Sequence, residues 1–351
     1  MNESTPHLRS ALLGLALGDA LGLPYERLPP SRIAKRTKGL PIGPALLPGL
    51  MMVSDDTDHA CMALGALRES GGDGARFSRA LARRFRWWFA ALPPGVGMAT
   101  AKSAIRLWLG FSPDNSGVVS AGNGPLMRAG ILGVALRDDA ALRGEITDRS
   151  TRLTHRDERA LDAARVLADA CAELATHGRP SDIPAFCERL AATARTPEIR
   201  KVLAALPSLA GPKENLGERL ERLVLNRPAA EKPRGPSGYA PESLAGAFAA
   251  FLYGGPDGLA ILRTAIAFGG DTDSVASFAG CLAGAADPAA FDSPECAGLF
   301  SGLRDLPWNK TGLEKRAAGV PPSPLTTALR PARNLGQLAI VIGHGLLRIF
   351  P

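Results

Sequence analysis

The amino-acid sequence predicts an all-α fold, and three observations carry this prediction. Hydrophobic residues make up 46% of the 351 residues but aromatic residues only 5%, so the core must consist mainly of Ala, Leu, Val and Ile. Ala and Leu lead the helix scale, whereas the residues most typical of strands are scarce. No convincing run of alternating strands and no internal repeat interrupts the pattern.

Glycine, proline and polar capping residues divide the chain into helices and loops. The Ser54-Asp55-Asp56 triplet stands where free N–H groups and the helix dipole favour oxygen atoms, at the start of the second helix. Gly71 marks the break before the third helix, and Pro125 suits the first turn of a later one. The predicted helices cover residues 8–21, 57–68, 75–90, 157–175, 183–194, 197–206, 241–252, 258–267 and 273–285, with one more opening at Pro125. The predicted loops cover residues 24–52, 110–124 and 226–238.

The C-terminal segment differs in composition from the rest of the chain. It is proline-rich from Pro321 and then largely apolar over residues 334–343, which is shorter than the ~20 residues needed to span a bilayer. We predict one domain over residues 1–315, followed by a tail over residues 316–351 that docks on the domain as a helix. A membrane-surface anchor and a contact with a partner protein are the alternatives.

The net charge of +7 favours anionic partners in general. The basic residues are scattered over predicted helices without interleaved aromatics, which favours a solvated face over a nucleic-acid groove. The five cysteines form no CxxC pair and stand among Ala and Leu, as reduced core residues do. Asp19 interrupts the apolar N-terminal stretch, which argues against a signal peptide. We therefore expect a cytoplasmic protein, without a transmembrane segment and monomeric.

Carboxylates concentrate at three places where the surrounding sequence is small and apolar. Asp19 and Glu26 flank the end of the first helix, residues 54–57 (SDDT) open the second, and residues 271–274 (DTDS) precede another apolar helix. Each motif alone could be an ordinary N-cap. Together they predict two helix mouths that point inward, where ionised carboxylates require cations.

The candidate ligands indicate which cations these would be. They are carboxylates and hydroxyls without a His or Cys cluster at zinc spacing, and hard oxygen ligands suit Mg²⁺, Mn²⁺ or Ca²⁺. Asp271 and Asp273 could face two neighbouring ions if the backbone turns sharply at Gly269-Gly270. Two ions about 4 Å apart could polarise sugar hydroxyls and hold an attacking water.

Five motifs in this order resemble the ADP-ribosylglycohydrolases, which include dinitrogenase-reductase-activating glycohydrolase and the arginine- and serine-directed ADP-ribosyl hydrolases. The motifs are GLALGDALGLPYE (14–26), SDDT (54–57), GNGPLMR (122–128), LTH (153–155) and GGDTDS (269–274). The resemblance covers roughly residues 8–300. It implies a single-domain orthogonal helical bundle over residues 1–315 and a binuclear centre of two Mg²⁺ or Mn²⁺ ions.

The resemblance also implies roles for individual residues. Glu26 resembles the mobile catalytic glutamate of the family, with Asp55 and Asp56 as second candidates for proton transfer. The implied metal ligands are Ser54, Asp55, Asp56, Asp271, Asp273 and Ser274. The implied substrate-binding residues are the loop Ser120, Ala121, Gly122, Asn123 and Gly124, which would hold the diphosphate and distal ribose, together with His155 and, on a looser match, Tyr239 beside the adenosine.

Two positions depart from the family pattern. Ala121 stands where the serine-directed branch carries an aromatic residue, so one stacking wall is absent or comes from elsewhere. Ser274 replaces a threonine but keeps the hydroxyl. The basic loop at residues 27–38 and the tail from Pro321 have no assignable counterpart. The sequence therefore indicates the type of reaction more clearly than the identity of the substrate.

The function implied is hydrolysis of the N- or O-glycosidic bond at the proximal ribose, which releases ADP-ribose from a modified protein, nucleic acid or small molecule. Acid–base catalysis by a carboxylate suits such a bond. The sequence leaves open which carboxylate is acid or base, whether Mg²⁺ or Mn²⁺ binds, and whether the acceptor is arginine, serine, a nucleobase or a metabolite. Two alternatives remain: a metal-dependent phosphoester hydrolase, and a non-enzymatic ADP-ribose-binding immunity or sensor protein.

Overall fold

The computed structural model describes residues 6–46, 49–228 and 230–347, with the side chains of residues 346 and 347 excluded. Within these ranges the chain is 68% helical, with 18 α-helices and no strand. The prediction of an all-α fold is therefore confirmed. One large apolar core runs through most of the helices, and a smaller one lies between the helices that begin at Asp55 and Gly74.

Most of the helices follow one another through short connections, but residues 38–54 and 109–125 form longer ones. The first nine are α1 Pro6–Gly22, α2 Pro30–Thr37, α3 Asp55–Ser70, α4 Gly74–Ala90, α5 Met98–Trp108, α6 Leu126–Ala135, α7 Ala140–Arg152, α8 Glu158–His177 and α9 Ile183–Thr193. The others are α10 Pro197–Ala205, α11 Leu216–Arg219, α12 Ala240–Tyr253, α13 Gly258–Ala267, α14 Thr272–Ala286, α15 Pro294–Gly302, α16 Lys310–Ala317, α17 Pro324–Ala328 and α18 Arg330–Leu347.

The sequence-based helices lie where predicted, with ends that differ by at most two residues. The prediction of one continuous loop over residues 24–52 was wrong, because α2 forms inside it and buries Ile33. Helices α5 and α7 were not predicted at all. The boundary predicted between residues 315 and 316 falls inside α16.

Helix α1 lies against α14 with main chain touching main chain. A β-carbon on Gly18 would lie 2.3 Å from the carbonyl oxygen of Ala276, and one on Gly22 would lie 2.5 Å from the Cα atom of Asp273. Only glycine permits so close an approach. The separation of the two helices is therefore set by their backbones.

We expect Gly18→Ala to lower the free energy of unfolding by about 1–3 kcal/mol, because the added carbon meets main-chain atoms that cannot move aside. Gly144→Ala is the matched control: it lies in α7 with nothing within 4 Å of the added carbon. This control should raise the free energy of unfolding by about 0.5–1 kcal/mol, as removing an interior helix glycine does. Equilibrium urea denaturation measures both, and equal effects would contradict the close contact.

The last helix, α18, docks on the body through its polar face. Asn334 and Gln337 are buried, and their amide nitrogens each donate a 2.7 Å hydrogen bond to a carbonyl oxygen, that of Ala91 and that of Val53 respectively. Ile340 packs against a small apolar cluster of Leu23, Leu46 and Met52. Helix α18 is thus held by polar contacts, which also include ion pairs of Arg330 with Asp58 and of Arg333 with Asp305.

The opposite face of α18 is apolar and exposed. Leu335 is 53% exposed and Ile342 54% exposed. The arrangement is the reverse of the usual amphipathic helix, which buries its apolar stripe. No helix in the described residues is long and apolar enough to cross a membrane. All five cysteines are buried and unpaired.

Candidate active site

Asp19 joins the end of α1 to the start of α3. The carboxylate is fully buried and accepts hydrogen bonds from the backbone nitrogens of Ser54 (2.8 Å) and Thr57 (3.1 Å) and from the Thr57 hydroxyl (2.6 Å). It therefore caps the free N–H groups of a helix other than its own. Burial raises the pKa of Asp19 to about 6, although these hydrogen bonds oppose the rise.

The mouth of α3 presents its two carboxylates differently. The hydroxyl oxygen of Ser54 accepts a hydrogen bond from the Asp56 backbone nitrogen (3.4 Å), which makes Ser54 the N-cap. Asp55 is half-buried, whereas Asp56 is fully buried. The Ser274 hydroxyl donates to Asp56 Oδ2 across 3.1 Å, so the mouths of α3 and α14 are directly connected.

The mouth of α14 follows a sharp turn. Gly269 and Gly270 have φ angles of +75° and +76°, a region that favours glycine. The chain then enters α14, where Asp273 and Ser274 are buried. Asp271 stays half-buried and accepts a 2.8 Å hydrogen bond at Oδ2 from the Asn123 amide. The turn required by the sequence motif is therefore present.

The carboxylates at the two mouths are electrostatically strained. Burial raises the pKa values of Asp55, Asp56 and Asp273 well above the ordinary value, and neighbouring carboxylates raise them further. Asp56 Oδ1 and Asp273 Oδ1 are buried and have no hydrogen-bond partner. Such oxygen atoms are costly unless a cation or proton neutralises them.

This donor set fits a hard divalent cation, because it consists of carboxylates and hydroxyls. Among the residues that the structure describes, no group of three His, Cys, Asp or Glu side chains is already assembled as a ligand set. The 3.1 Å hydrogen bond from the Ser274 hydroxyl to Asp56 Oδ2 nevertheless connects the two helix mouths.

A cavity of about 760 Å³ opens at the two helix mouths. Its volume lies in the range of small-molecule sites. The lining includes many of the predicted site residues: Glu26, Ser54, Asp55, Ser120, Gly122, Asn123, Gly124, His155, Asp271, Asp273 and Ser274. The structure therefore brings together motifs that are separated by up to 248 positions in the sequence, from Glu26 to Ser274.

The loop of residues 120–124 lines the cavity through four of its five residues, all but Ala121. Its backbone is fixed to a neighbouring loop: Asn123 N donates to Gly238 O and Ala240 N donates to Ala121 O, both at 2.9 Å. A β-carbon on Gly124 would lie 2.9 Å from the His155 ring. Burial lowers the pKa of His155 to about 3, so this ring is neutral at physiological pH.

Glu26 lies at the rim of the cavity, half-buried, just after a 3₁₀ turn of residues Leu23–Tyr25. Its carboxylate is 3.3 Å from the exposed guanidinium of Arg27. Immediately after Glu26, the Arg27 backbone nitrogen donates to Gly270 O at 2.7 Å, and Gly270 N donates to Leu28 O at 3.0 Å. The backbone beside Glu26 is thereby tied to the turn that opens α14.

The ADP-ribosylglycohydrolase family model matches residues 3–290. The chain is an ADP-ribosylglycohydrolase family member. A solved structure titled "ADP-ribosylglycohydrolase-related protein complex" is 28% identical to it, with a TM-score of 0.65, over 91% of this chain and 98% of that one. No curated protein matches the sequence. The family resemblance drawn from the motifs is confirmed.

Three residues that the family resemblance placed in the site do not line the cavity of this family member. Asp56 lies behind its wall, fully buried. Ala121 contributes a main-chain oxygen to the loop contact. Tyr239 is half-buried, with the Arg159 guanidinium over its ring at 5.6 Å. An adenosine would therefore meet Tyr239 only if it extended beyond the cavity.

Arg128, the last residue of the GNGPLMR motif, received no role from the sequence. It is fully buried and hydrogen-bonds to the Gly124 carbonyl oxygen (3.2 Å), the Ser150 hydroxyl (2.9 Å) and the Thr154 hydroxyl (2.9 Å). It thus joins the glycine loop to the residue before His155. Burial lowers its pKa to about 9.

The C-terminal helix also contributes to the cavity. Gln337 and Val341 line it, although no sequence motif assigns the tail a part in the site. Both lie beyond residue 290, where the family match ends. The sequence predicts only that the tail docks on the domain as a helix, and it does not indicate at which position.

A second cavity of about 1050 Å³ lies near α7, α8 and α9. Four of its five arginines are already paired with carboxylates, among them Arg143 with Asp169 and Arg189 with Glu173. No residue of the five family motifs lines it. The cavity at the helix mouths is therefore the better candidate for the active site.

Proposed function

We propose that the protein removes ADP-ribose from a modified acceptor by hydrolysing the glycosidic bond at the proximal ribose. The observation that carries the proposal is the joining of two carboxylate-bearing helix mouths to a glycine loop across one cavity, in a chain of this family. The two buried carboxylate oxygens without partners, Asp56 Oδ1 and Asp273 Oδ1, support a site that takes up cations.

Two Mg²⁺ or Mn²⁺ ions would be held by Ser54, Asp55, Asp56, Asp271, Asp273 and Ser274. When bound, such ions polarise ribose hydroxyls and lower the pKa of a coordinated water. The protein's own contribution is positional. The Ser274–Asp56 hydrogen bond connects the mouths, Asp19 holds the start of α3, and the Asn123 amide orients Asp271.

Glu26 is our first candidate for proton transfer, with Asp55 and Asp56 as the second. Glu26 lies at the rim and outside both helix mouths, so it can exchange a proton with a substrate that enters from solvent. The loop of residues 120–124 would hold the diphosphate, although its Gly122 and Asn123 backbone nitrogens already donate to Ser120 Oγ and Gly238 O, and the neutral His155 ring would adjoin the loop. Water exclusion would come from the substrate itself, which fills the cavity mouth.

We expect the purified protein to release ADP-ribose from an ADP-ribosylated acceptor in a panel containing arginine-, serine- and nucleobase-linked substrates. EDTA should abolish the reaction, and Mg²⁺ or Mn²⁺ but not Zn²⁺ should restore it, because the site offers only oxygen ligands. Chromatography of the released nucleotide measures the activity. Full turnover in excess chelator would contradict the metal site, and cleavage of a generic phosphomonoester in place of ADP-ribosyl bonds would indicate a phosphoesterase. ADP-ribose binding without release would indicate a non-enzymatic binder.

A further inference from the structure

Gln337 is an unusual residue for the inner face of a surface helix. Its side chain is 1% exposed and borders the active-site cavity. The amide nitrogen donates to Val53 O at 2.7 Å. Because only the NH₂ group can donate to a carbonyl oxygen, this contact fixes the amide orientation and assigns Oε1 to the other side.

Gln337 Oε1 has no hydrogen-bond partner in the structure, although it is buried. Buried acceptors are almost always satisfied, so an exception calls for an explanation. Only six such side-chain atoms occur in the described part of the chain, and three of them belong to residues around this one cavity: Asp56 Oδ1, Asp273 Oδ1 and Gln337 Oε1. This clustering indicates an oxygen atom that a bound molecule satisfies.

The position of Gln337 indicates which part of a substrate it would meet. Val53 immediately precedes Ser54, so the amide is anchored at the mouth of α3. On the same helix, Ile340 packs against the apolar cluster that contains Leu23, which is three residues before Glu26. Gln337 therefore lies beside the mouth of α3, in a cavity that residues 120–124 and His155 also line.

We propose that α18 forms the leaving-group wall of the active site and that Gln337 Oε1 accepts a hydrogen bond from a donor attached to C1″ of the substrate ribose. This inference rests on the proposed function. It makes Gln337 a specificity-determining residue, which favours a leaving atom that carries hydrogen, as in an N–H-linked acceptor, over an O-linked one. The proposal accounts for one polar residue on the buried face of α18, where Val341 also lines the cavity.

The test compares two probes, ADP-ribose, which carries a hydroxyl donor at C1″, and 1″-O-methyl-ADP-ribose, which carries none. Calorimetric titration in Mg²⁺ measures both dissociation constants. We expect Gln337→Met to weaken ADP-ribose binding by about tenfold, the size of one such hydrogen bond, and to leave the methylated probe within about twofold. Methionine keeps the side-chain length, so the cavity keeps its shape.

Asn334→Leu is the matched control. Asn334 is an equally buried amide that holds the same helix to a carbonyl oxygen at 2.7 Å, but it does not line the cavity. It should leave the ratio of the two dissociation constants unchanged. Thermal unfolding of both variants reports whether α18 still docks.

Three results would overturn the inference. In the first, Gln337→Met binds both probes as tightly as the unaltered protein does. In the second, it loses affinity for both probes by the same factor. In the third, Asn334→Leu shows the same change in selectivity as Gln337→Met, which would indicate that only the docking of α18 matters. Failure of the unaltered protein to bind either probe would instead refute the proposed function, and the inference with it.

Discussion

We expect Asp273→Ala to lower turnover by on the order of 10³-fold or more while the protein stays folded. Asp273 is buried, and one of its oxygens has no partner in the structure. Replacing it removes a carboxylate that burial and nearby carboxylates disfavour, so the metal-free fold should lose no stability. The variant should, however, lose a cation that needs this oxygen. Asp55→Ala should behave in the same way at the other helix mouth.

Thermal unfolding with and without Mg²⁺ separates these effects from misfolding. Ligand binding stabilises a fold by about 2.7 kcal/mol at a hundredfold excess over the dissociation constant. The unaltered protein should show such a gain, and Asp273→Ala should show little or none. Asp114→Ala, which changes an exposed loop carboxylate, should keep both the gain and the activity. An unchanged Mg²⁺ response in Asp273→Ala would refute the ligand assignment.

The second large effect should come from Glu26→Gln. The amide keeps the size of the side chain but cannot accept a proton at neutral pH. Since Glu26 lines the cavity outside both helix mouths, metal and ADP-ribose affinity should stay close to those of the unaltered protein. We expect the single-turnover rate of hydrolysis to fall by ~10²-fold or more, the usual size of a lost acid–base contribution.

Glu214→Gln, in an exposed turn, provides the control for this change and should leave the rate unaltered. Calorimetry with ADP-ribose accompanies the kinetic assay. A rate near that of the unaltered protein would transfer the proton-transfer role to Asp55 or Asp56. Lost ADP-ribose affinity would make Glu26 a binding residue.

The sequence failed to predict α5 and α7 for a physical reason. Helix α7 buries Ile146 together with Thr147, Ser150 and Thr151, and α5 likewise buries Thr100 and Ser103. A search for apolar periodicity counts these hydroxyl residues as solvent-facing, so the buried stripe goes unrecognised. In the structure the Ser103 hydroxyl donates to Leu153 O and the Thr151 hydroxyl to Thr147 O, whereas the Ser150 hydroxyl accepts from Arg128 and the buried Thr147 hydroxyl has no hydrogen-bond partner.

The sequence predicts the site residues better than it predicts the residues that hold them in place. Motifs place carboxylates at helix mouths, because capping rules act over a few residues. They do not show that Asp19 caps a helix 35 residues away, that Arg128 connects a loop to α7, or that Gln337 reaches Val53 across 284 positions. These contacts depend on tertiary packing, which a local sequence pattern does not reveal. The ligand assignments and the domain boundary stay predictions.

The main-chain contact between α1 and α14 has a consequence for how the protein tolerates change. Because backbone atoms set this separation, exchanges among Ala, Leu and Val elsewhere in the core can alter side-chain volumes without moving Asp19 relative to Asp273. Sequence drift and deliberate repacking can therefore change the stability of the core without changing this separation. Both are barred at Gly14, Gly18 and Gly22, where a single methyl group would push one half of the catalytic apparatus away from the other.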